Sequence, residues 1–559
     1  MTAQRHETLK FGIMCFGYRF LAWEAECIKN LIDSGHAEPV LLIRDVTASQ
    51  SEPWWKRIFR NDFFAYMFDA YWLRKRALAL KQVDMSEPLK DLDVLDCNVV
   101  LKGKFSQYFT EEDIAAIQQY QLDFILRFGF NIIRGAILQA ARYGVWSYHH
   151  DDENRYRGGP PCFWEILHDD PRTGAILQRL TDRLDGGIIL HRGYFKTSPV
   201  SYVKNLDRAY LGTTEWCSRV CAEIVLGQTD KFQTPPSTSQ APIYRFPSNL
   251  TFLYFLLKLS CAVMKRIWHL TFYIDVWNVG ITTDRIERII DAERVEHIQW
   301  AKQEHPKHYT ADPFAYRKNG HYHVLVEDFD YASGGKISEI VFPEALETYN
   351  FTPVFHNAYH MSYPYIFSEN GELYCIPEIH ETRSVRLYKR VEDTWTFVHT
   401  LIEGLPIVDP ALIKYRDWYW LFFTLQSDGF YGNLKLHAAY AENLDAPWHL
   451  HPLNPLKCDV SASRSAGNPV VIDGRLYRPS QDCSETYGGA VVMNEILTLS
   501  PTAFEEVAVA HIKPEPSSLY PNGLHTLNAL EDVTLVDSKQ LAFDLLAWRK
   551  NPFLKDFWD

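Results

Sequence analysis

The 559-residue chain lacks several features that would assign a function class at once. Its ten cysteines contain no Cys-x-x-Cys pair, and only Cys217 and Cys221 sit one helical turn apart. That spacing offers neither a zinc ribbon nor a disulfide framework, so no metal site is expected and the thiols read as buried or free in a reducing compartment. Positive charge is also short. With 57 Lys and Arg against 70 Asp and Glu, the net charge of −13 excludes the basic footprint of a general nucleic-acid-binding surface. Gly12 and Gly17 do not complete a dinucleotide-binding glycine pattern. Met1 to Lys10 is polar and has no apolar signal core, from which a cytoplasmic location is expected. No uninterrupted apolar run reaches the roughly 18 residues of a membrane span. The nearest, Leu250 to Val279, is broken by Lys258, Lys265, Arg266 and His269, and reads as an amphipathic helix bracing two domains, with peripheral membrane contact as the alternative.

What is present is ample apolar residue, 47% of the chain, enough for two or more cores. The texture changes near residue 235. Before it, strand and helix patterns alternate; Thr234 to Pro242 is a polar, proline-rich joint; beyond Val279 short aromatic strands are separated by turns. Three regions follow: an α/β domain over 1–235, a linker and bracing helix over 236–280, and an all-β domain over 281–559. Trp54 to Leu80, aromatic and basic, reads as an insertion adding helices to the first domain.

The most informative stretch runs from Leu122 to Leu190. Leu122 to Phe130 is an apolar run closed by a glycine, Asn131 to Arg142 has helical spacing, and Gly144 leads into a second strand ending Ser147-Tyr-His-His150. Further on comes Leu184-Asp-Gly-Gly187. Ligand crevices of open α/β sheets lie beyond the carboxyl ends of the strands, which is where His149 falls.

At Ser147-Tyr-His149, at Asp151 to Tyr156 closing in Arg157-Gly158, and at Leu184-Asp-Gly-Gly187, the chain resembles the folate-dependent formyltransferases. The likeness extends to Phe11 to Gly17 and to Phe128-Gly129, covering roughly the first 230 residues. It implies a Rossmann-like α/β formyltransferase domain using 10-formyltetrahydrofolate as formyl donor to a small-molecule amine, an amino sugar or another specialised metabolite. Formyl transfer passes through a tetrahedral oxyanion, so donors must face that oxygen and a base must take the amine proton. The resemblance gives these roles to His149, with Asp185 orienting its imidazole, and contact with the folate to Phe128, Gly129 and Leu184. Ser147 stands where the family has asparagine, and Asp151-Asp-Glu-Asn154 replaces the usual proline-containing loop. Losing one oxyanion donor costs about 2.7 to 4 kcal/mol, so Ser147 implies a slower reaction, a bridging water, a substitute donor such as Asn154 or His150, or different chemistry. His150 and the acidic loop also read as a solvated turn.

The second half carries a weak repeat. Copies begin at Asp312-Pro, Tyr363-Pro, Asp409-Pro and Asn468-Pro, each a short apolar strand, a turn and a second aromatic strand, spaced by about 46 to 59 residues. That is the size of a four-stranded blade, and five fit the length. These repeats resemble five-bladed propellers of the glycoside-hydrolase type, and more closely the propeller-like region of the glucosamine inositolphosphorylceramide transferases, on His360 to Tyr365, Ile376-Pro-Glu378, Arg464 to Gly467, Tyr477 to Asp482 and Glu485 to Gly488. The resemblance implies that Asp312, Glu327, Glu378, Asp409 and Asp482 form an acidic floor with His360 and Arg464. Such acids either bind sugar hydroxyls or cleave glycosidic bonds. A carbohydrate-binding or glycoside-processing protein whose first domain has lost formyl transfer is the alternative function. Self-association stays open.

Overall fold

The computed structural model describes residues 8–47, 60–103, 105–183, 186–303, 308–331, 334–347, 351–355 and 359–550. The chain divides into two compact units, with the break between Val263 and Met264.

The first unit is built on one seven-stranded sheet: β1 (Leu9–Cys15), β2 (Ala37–Asp45), β3 (Asp93–Cys97), β4 (Phe124–Arg127), β5 (Val145–His149), β6 (Arg172–Arg179) and β7 (Ile188–Lys196). Their order is β7-β6-β5-β4-β1-β2-β3. From β5 to β3 the strands are parallel, and β6 and β7 run antiparallel. Strands buried on both faces read as continuous apolar runs, which is why Phe124-Ile-Leu126 shows no alternation. Rings of three adjacent strands stack through the centre, Phe11 on Phe124 at 5.2 Å and Phe124 on Trp146 at 4.0 Å, all fully buried.

The expected helix over Asn131–Arg142 does not form. Ile132–Arg134 is a strand paired with Ser106–Tyr108, and only a single 3₁₀ turn, Ala136–Gln139, follows. Two adjacent β-branched residues favour the strand, and Gly135, with φ of +83°, breaks the backbone between the two pieces. Within the expected insertion the described part forms helical turns over Phe63–Phe68, Asp69–Leu73 and Arg74–Arg76, while Trp54 to Phe59 lies outside the described residues.

A 24-residue helix, Asn249–Phe272, contains the boundary between the units. The strand after it, Tyr273–Thr282, already belongs to the second unit's sheets. Over ten residue pairs it runs antiparallel to Val533–Phe543, so the all-β region starts ahead of residue 281. Among the described residues the second unit has five antiparallel sheets of four or five strands. Four follow the chain in order; the remaining one joins the unit's first strands to its last. All ten cysteines are free thiols, and all but Cys261 are buried.

The repeat seen in the sequence has a structural counterpart. The pairing of the first two strands of three sheets slips at the x-Pro step, between Ala311 and Phe314, Ser362 and Tyr365, and Val408 and Ala411. There Asp312, Tyr363 and Asp409 take φ of 52°, 43° and 48°, left-handed values that a non-glycine residue adopts only when its surroundings hold it.

In the sheet over Val470–Ile512, Arg478 is completely buried and faces Glu506 at 2.7 Å, the two side chains 0% and 2% exposed; Lys457 reaches the same carboxylate at 3.0 Å. Burial acts to raise the Glu506 pKa, but Arg478 and then Lys457 overcome it and hold the group below the ordinary value. Removing one member of a buried pair leaves an uncompensated charge, so Glu506→Ala should destabilise the protein by about 3 to 5 kcal/mol in urea unfolding. The folded value being depressed, the ionised pair's contribution is complete above the unfolded pKa of about 4.3. It declines as pH falls through the folded value. Unfolding midpoints measured from pH 7 down to pH 3 should show that loss in the wild type and a shallower one in Glu506→Ala.

Candidate functional site

In the first unit a cleft enclosing about 600 Å³, part of it open solvent, lies beyond the carboxyl end of β4 and beside β5. Its walls include Arg127 at the end of β4, Asn131 after it, Ser147 and His149 of β5, Gln178 of β6, and Asp182 and Gly187 on the loop that follows. Parallel pairing aligns Trp146 with Leu126, so β5 runs past the end of β4 and carries His149 into the crevice. Ser147 is buried, and His149 is mostly so, its side chain 19% exposed. The nearest described acid to His149 is Asp151, its Oδ2 3.8 Å from Nε2, within ion-pair range but beyond a direct hydrogen bond. Leu184 and Asp185 lie outside the described residues.

The acidic loop is no solvated turn. Asp151, Asp152 and Glu153 are buried. Asp151 accepts from the Cys162 N–H at 3.1 Å, yet burial, reinforced by Glu165, pushes its carboxyl well above the ordinary range. His150 is a core residue rather than a donor to the cleft. It stacks on Tyr210 at 3.6 Å and lies 3.1 Å from the Thr213 hydroxyl, and burial drives its pKa well down. Asn154 donates to Glu153.

Phe128 and Gly129 are not among the cleft's lining residues. Phe128 meets the edges of Phe20 and Trp23, and Gly129 packs so closely on β1 that a Cβ there would sit 2.9 Å from the Cys15 backbone. The Phe-Gly pair therefore docks the β4 loop onto the sheet. Arg127, one residue earlier, is the cleft residue that sequence reading missed. Its guanidinium donates to the carbonyls of Phe130 and Asn131, its Nε meets no acceptor among the described residues, and burial lowers its pKa to about 10. With Arg134 and Arg183 it gives the cleft three cations against Asp182. A charged residue ending an otherwise apolar strand was the available signal.

In the second unit the bulged residues are joined by hydrogen bonds and ion pairs. The Tyr363 N–H donates to Asp312 Oδ2 at 3.2 Å, and the Tyr363 hydroxyl accepts from the Gly467 N–H at 2.8 Å. Asp312 Oδ1 lies 3.1 Å from His525 Nε2, and Asp537 Oδ2 lies 2.8 Å from His525 Nδ1. The Asp409 N–H donates to Glu378 Oε2 at 3.0 Å, while the Asp409 carboxylate accepts from Arg464 at 2.5 and 3.2 Å and from Gln481 at 3.0 Å. His360 lies 3.6 Å from Glu327, and His380 lies 3.1 Å from Glu378. Asp312, Glu327, Glu378, Asp409, His360 and Arg464 thus fall into connected groups.

Asp482 does not join them. Alternation along its strand turns Gln481 toward Asp409 and sends Asp482 the other way, to His511 at 3.0 Å and the Ser484 hydroxyl at 2.6 Å. His525 and Asp537 are the residues the sequence reading passed over. His525 occupies the slip between Leu524 and Thr526, the counterpart of Asp312 and Asp409, but no proline marks that copy.

These environments separate the carboxyls. Burial, followed by Asp312 and Glu378, pushes Glu327 well up, and burial raises Asp409 to about 7 despite Arg464. Glu378 goes the other way: against burial, His380 and Arg464 bring it down to about 2. Opposed shifts within one group suit one acid to donate a proton while another stays ionised. His525 is held well above its ordinary value because Asp537 and Asp312 outweigh burial. Asp312, His525 and Asp537 also present ligand atoms within 4.8 Å of one another, though a cation there requires His525 to be neutral, since an imidazolium has no lone pair to give.

Residues 295–527 match the family model described as Glucosamine inositolphosphorylceramide transferase 1, N-terminal. Glucosamine inositolphosphorylceramide transferase 1 of Oryza sativa subsp. indica is 31% identical over 212 residues, covering 37% of this chain and 28% of the rice protein. The match therefore spans little more than a quarter of that relative. Methionyl-tRNA formyltransferase of Prochlorococcus marinus is 37% identical over 82 residues, 14% of this chain and 24% of that protein. The Rickettsia rickettsii enzyme of the same name is 26% identical over 195 residues, 33% of this chain and 59% of its own length. Among solved structures, an exo-beta-1,3-galactanase from Clostridium thermocellum aligns with a TM-score of 0.30 at 14% identity, covering 40% of this chain and 58% of that one. The chain joins a formyltransferase-like region to one similar to the N-terminal part of the glucosamine inositolphosphorylceramide transferases.

Proposed function

We propose that the chain is an N-formyltransferase that moves a formyl group from 10-formyltetrahydrofolate to the amine of a small molecule, an amino sugar or another specialised metabolite. The observation that carries this reading is the cleft where Ser147 and His149 emerge together from β5, in a chain similar to methionyl-tRNA formyltransferases. The lining fits such a donor. Folate bears carboxylates, and Arg127, Arg134 and Arg183 supply cations, Arg127 with an unmatched Nε. The donor would supply an activated formyl carbon: the amine nitrogen adds to it, the tetrahedral adduct then collapses with loss of the bond to the folate nitrogen, and that nitrogen takes up the proton the amine gives up. The chain's own residues do the rest. His149 takes the amine proton or donates to the formyl oxygen, Ser147 offers a short donor to that oxygen, and Asp151 and Asp185 are the acids available to orient the imidazole.

The second unit, read as a closed five-bladed propeller, holds the carbohydrate part of the acceptor. Its repeated bulges support the blades, and the groups around Asp409 and Asp312 support a polyhydroxylated ligand. The alternative, a carbohydrate-binding or glycoside-processing second unit beside a first unit that no longer transfers formyl groups, is favoured by Ser147 in place of the family's asparagine and by the opposed carboxyl shifts of Glu327 and Glu378.

Formyl transfer to candidate amino sugars, followed by mass spectrometry, separates these readings. His149→Ala should lower kcat by about 10²- to 10⁴-fold. Ser147→Asn should keep or raise it by restoring a longer donor; loss of a robust wild-type rate in that variant would show that the serine has its own role. Asp409→Asn sets an amide NH2 against the donors Arg464 and Gln481; in the full chain, with unchanged circular dichroism to show that the fold is retained, it should weaken glycan or amino-sugar binding in calorimetry while leaving binding of a tetrahydrofolate analogue within about twofold. Equal loss of both ligands would give the second unit a purely structural role.

A further inference from the structure

The helix Asn249–Phe272 has an apolar face on each side. Phe252 and Phe255 are buried against Phe68, Phe163 and Tyr202 of the first unit. Opposite them Leu250, Leu253, Tyr254 and Leu257 are 49 to 79% exposed. Their spacing of three and four residues makes one continuous stripe. A second stripe lies beside its first turn. Phe64, Met67, Tyr71 and Trp72 are exposed along the run 63–76, whose Phe64 N–H donates to Asn249 Oδ1 at 2.9 Å and whose Phe68 ring lies 5.3 Å from Phe252. Monomeric proteins seldom leave adjoining apolar stripes in water without a partner for them.

Charge identifies the partner. The chain averages one Asp or Glu in eight residues, 70 in 559, yet the 44 residues from Lys231 to Ile274 contain none and carry Lys231, Arg245, Lys258, Lys265 and Arg266, of which Lys231 is engaged by Glu223 and Lys258 by Asp169. Exposed Arg74, Lys75 and Arg76 follow the second stripe. In a protein of net charge −13, acids are missing from the longest helix among the described residues, whose outer face is apolar. Tyr71, Trp72 and Tyr254 add amphipathic rings, the residues that settle at the depth of lipid headgroups. Spanning is a different matter. Among the described residues no helix is long and apolar enough to cross a membrane, and the inner face of this one is buried in protein. A second copy of the chain fits less well, because pairing the stripe with itself would bring like charges together.

We propose that this face lies in the plane of an anionic membrane surface, the stripes Leu250–Leu257 and Phe64–Trp72 entering the headgroup region and the exposed Lys75 and Arg76 beside them meeting lipid phosphates. The test is sedimentation of the full chain with phosphatidylcholine vesicles, with and without about one third phosphatidylglycerol, at low and high salt. The wild type should bind the anionic vesicles at least about tenfold more tightly than the neutral ones and lose that preference in high salt. The double variant Leu253→Glu, Leu257→Glu should bind about tenfold more weakly or worse, and Lys75→Glu with Arg76→Glu should abolish the anionic preference. These side chains are exposed, so unchanged circular dichroism and melting of each variant will show that the fold is retained. Failure of the wild type to sediment with either vesicle would overturn the proposal. So would a wild-type dimer in analytical ultracentrifugation that Leu253→Glu, Leu257→Glu disperses while vesicle binding is unaffected, which would assign the stripe to a second copy.

Discussion

Taking a carboxylate out of water costs several kcal/mol unless hydrogen bonds or a cation replace the lost hydration. Both units bury acids beyond what packing requires, and the layout of each depends on how that cost is met. In the first unit Asp151, Asp152, Glu153, Glu165 and Asp170 are all buried. Arg155 reaches Asp170 at 2.5 Å, Arg192 pairs with Glu153, and Asp151 takes a backbone N–H. Glu165 has no hydrogen-bond partner for either oxygen among the described residues, and burial lifts its carboxyl to about 8. The loop after His149 is thereby fixed as part of the core, which in turn fixes where β5 releases His149.

In the second unit the same cost is met across sheets. Asp537 accepts from the N–H groups of Asp312 and Thr526, and Glu378 accepts from that of Asp409. Those bonds reach backbone groups that the bulges, left-handed at Asp312 and Asp409, turn out of the strand ladder. The strain at Asp312 and Asp409 and the burial of Asp537 and Glu378 therefore support one another: each bulge frees an N–H, and each acid satisfies it. The Tyr363 N–H at the third left-handed bulge is met in the same way, by Asp312 Oδ2 at 3.2 Å. Arg464 is then the cation that lets Asp409 and Glu378 share one buried neighbourhood, and it also lies over the Tyr487 ring at 5.1 Å.

Much of this was legible in the sequence, for local reasons. The strand ending in Ser147 to His149 and the x-Pro repeat rest on periodicity and turn chemistry, which are properties of neighbouring residues. The repeat located Asp312 and Asp409 because proline marks the bulge; it missed His525, whose bulge has no proline, and it took Asp482 for Gln481 by a slip of one residue, which in a strand reverses the direction of the side chain.

Burial, by contrast, was decided by tertiary structure. Nothing in Asp151-Asp-Glu153 distinguishes a solvated turn from a buried acid cluster until Cys162 and Arg192 are brought to it from elsewhere in the chain. Asn131–Arg142 has helical spacing, but a partner strand at Ser106–Tyr108 and a left-handed Gly135 override it. The sequence by itself determined the two kinds of architecture and the strand end that carries Ser147 and His149, because hydrophobic period and turn residues act over a few positions. Which acids pair with which cations, that Arg127 faces the cleft while Phe128 does not, and that Asp312, His525 and Asp537 meet, were decided by pairings between residues as many as 225 positions apart, which no local pattern encodes.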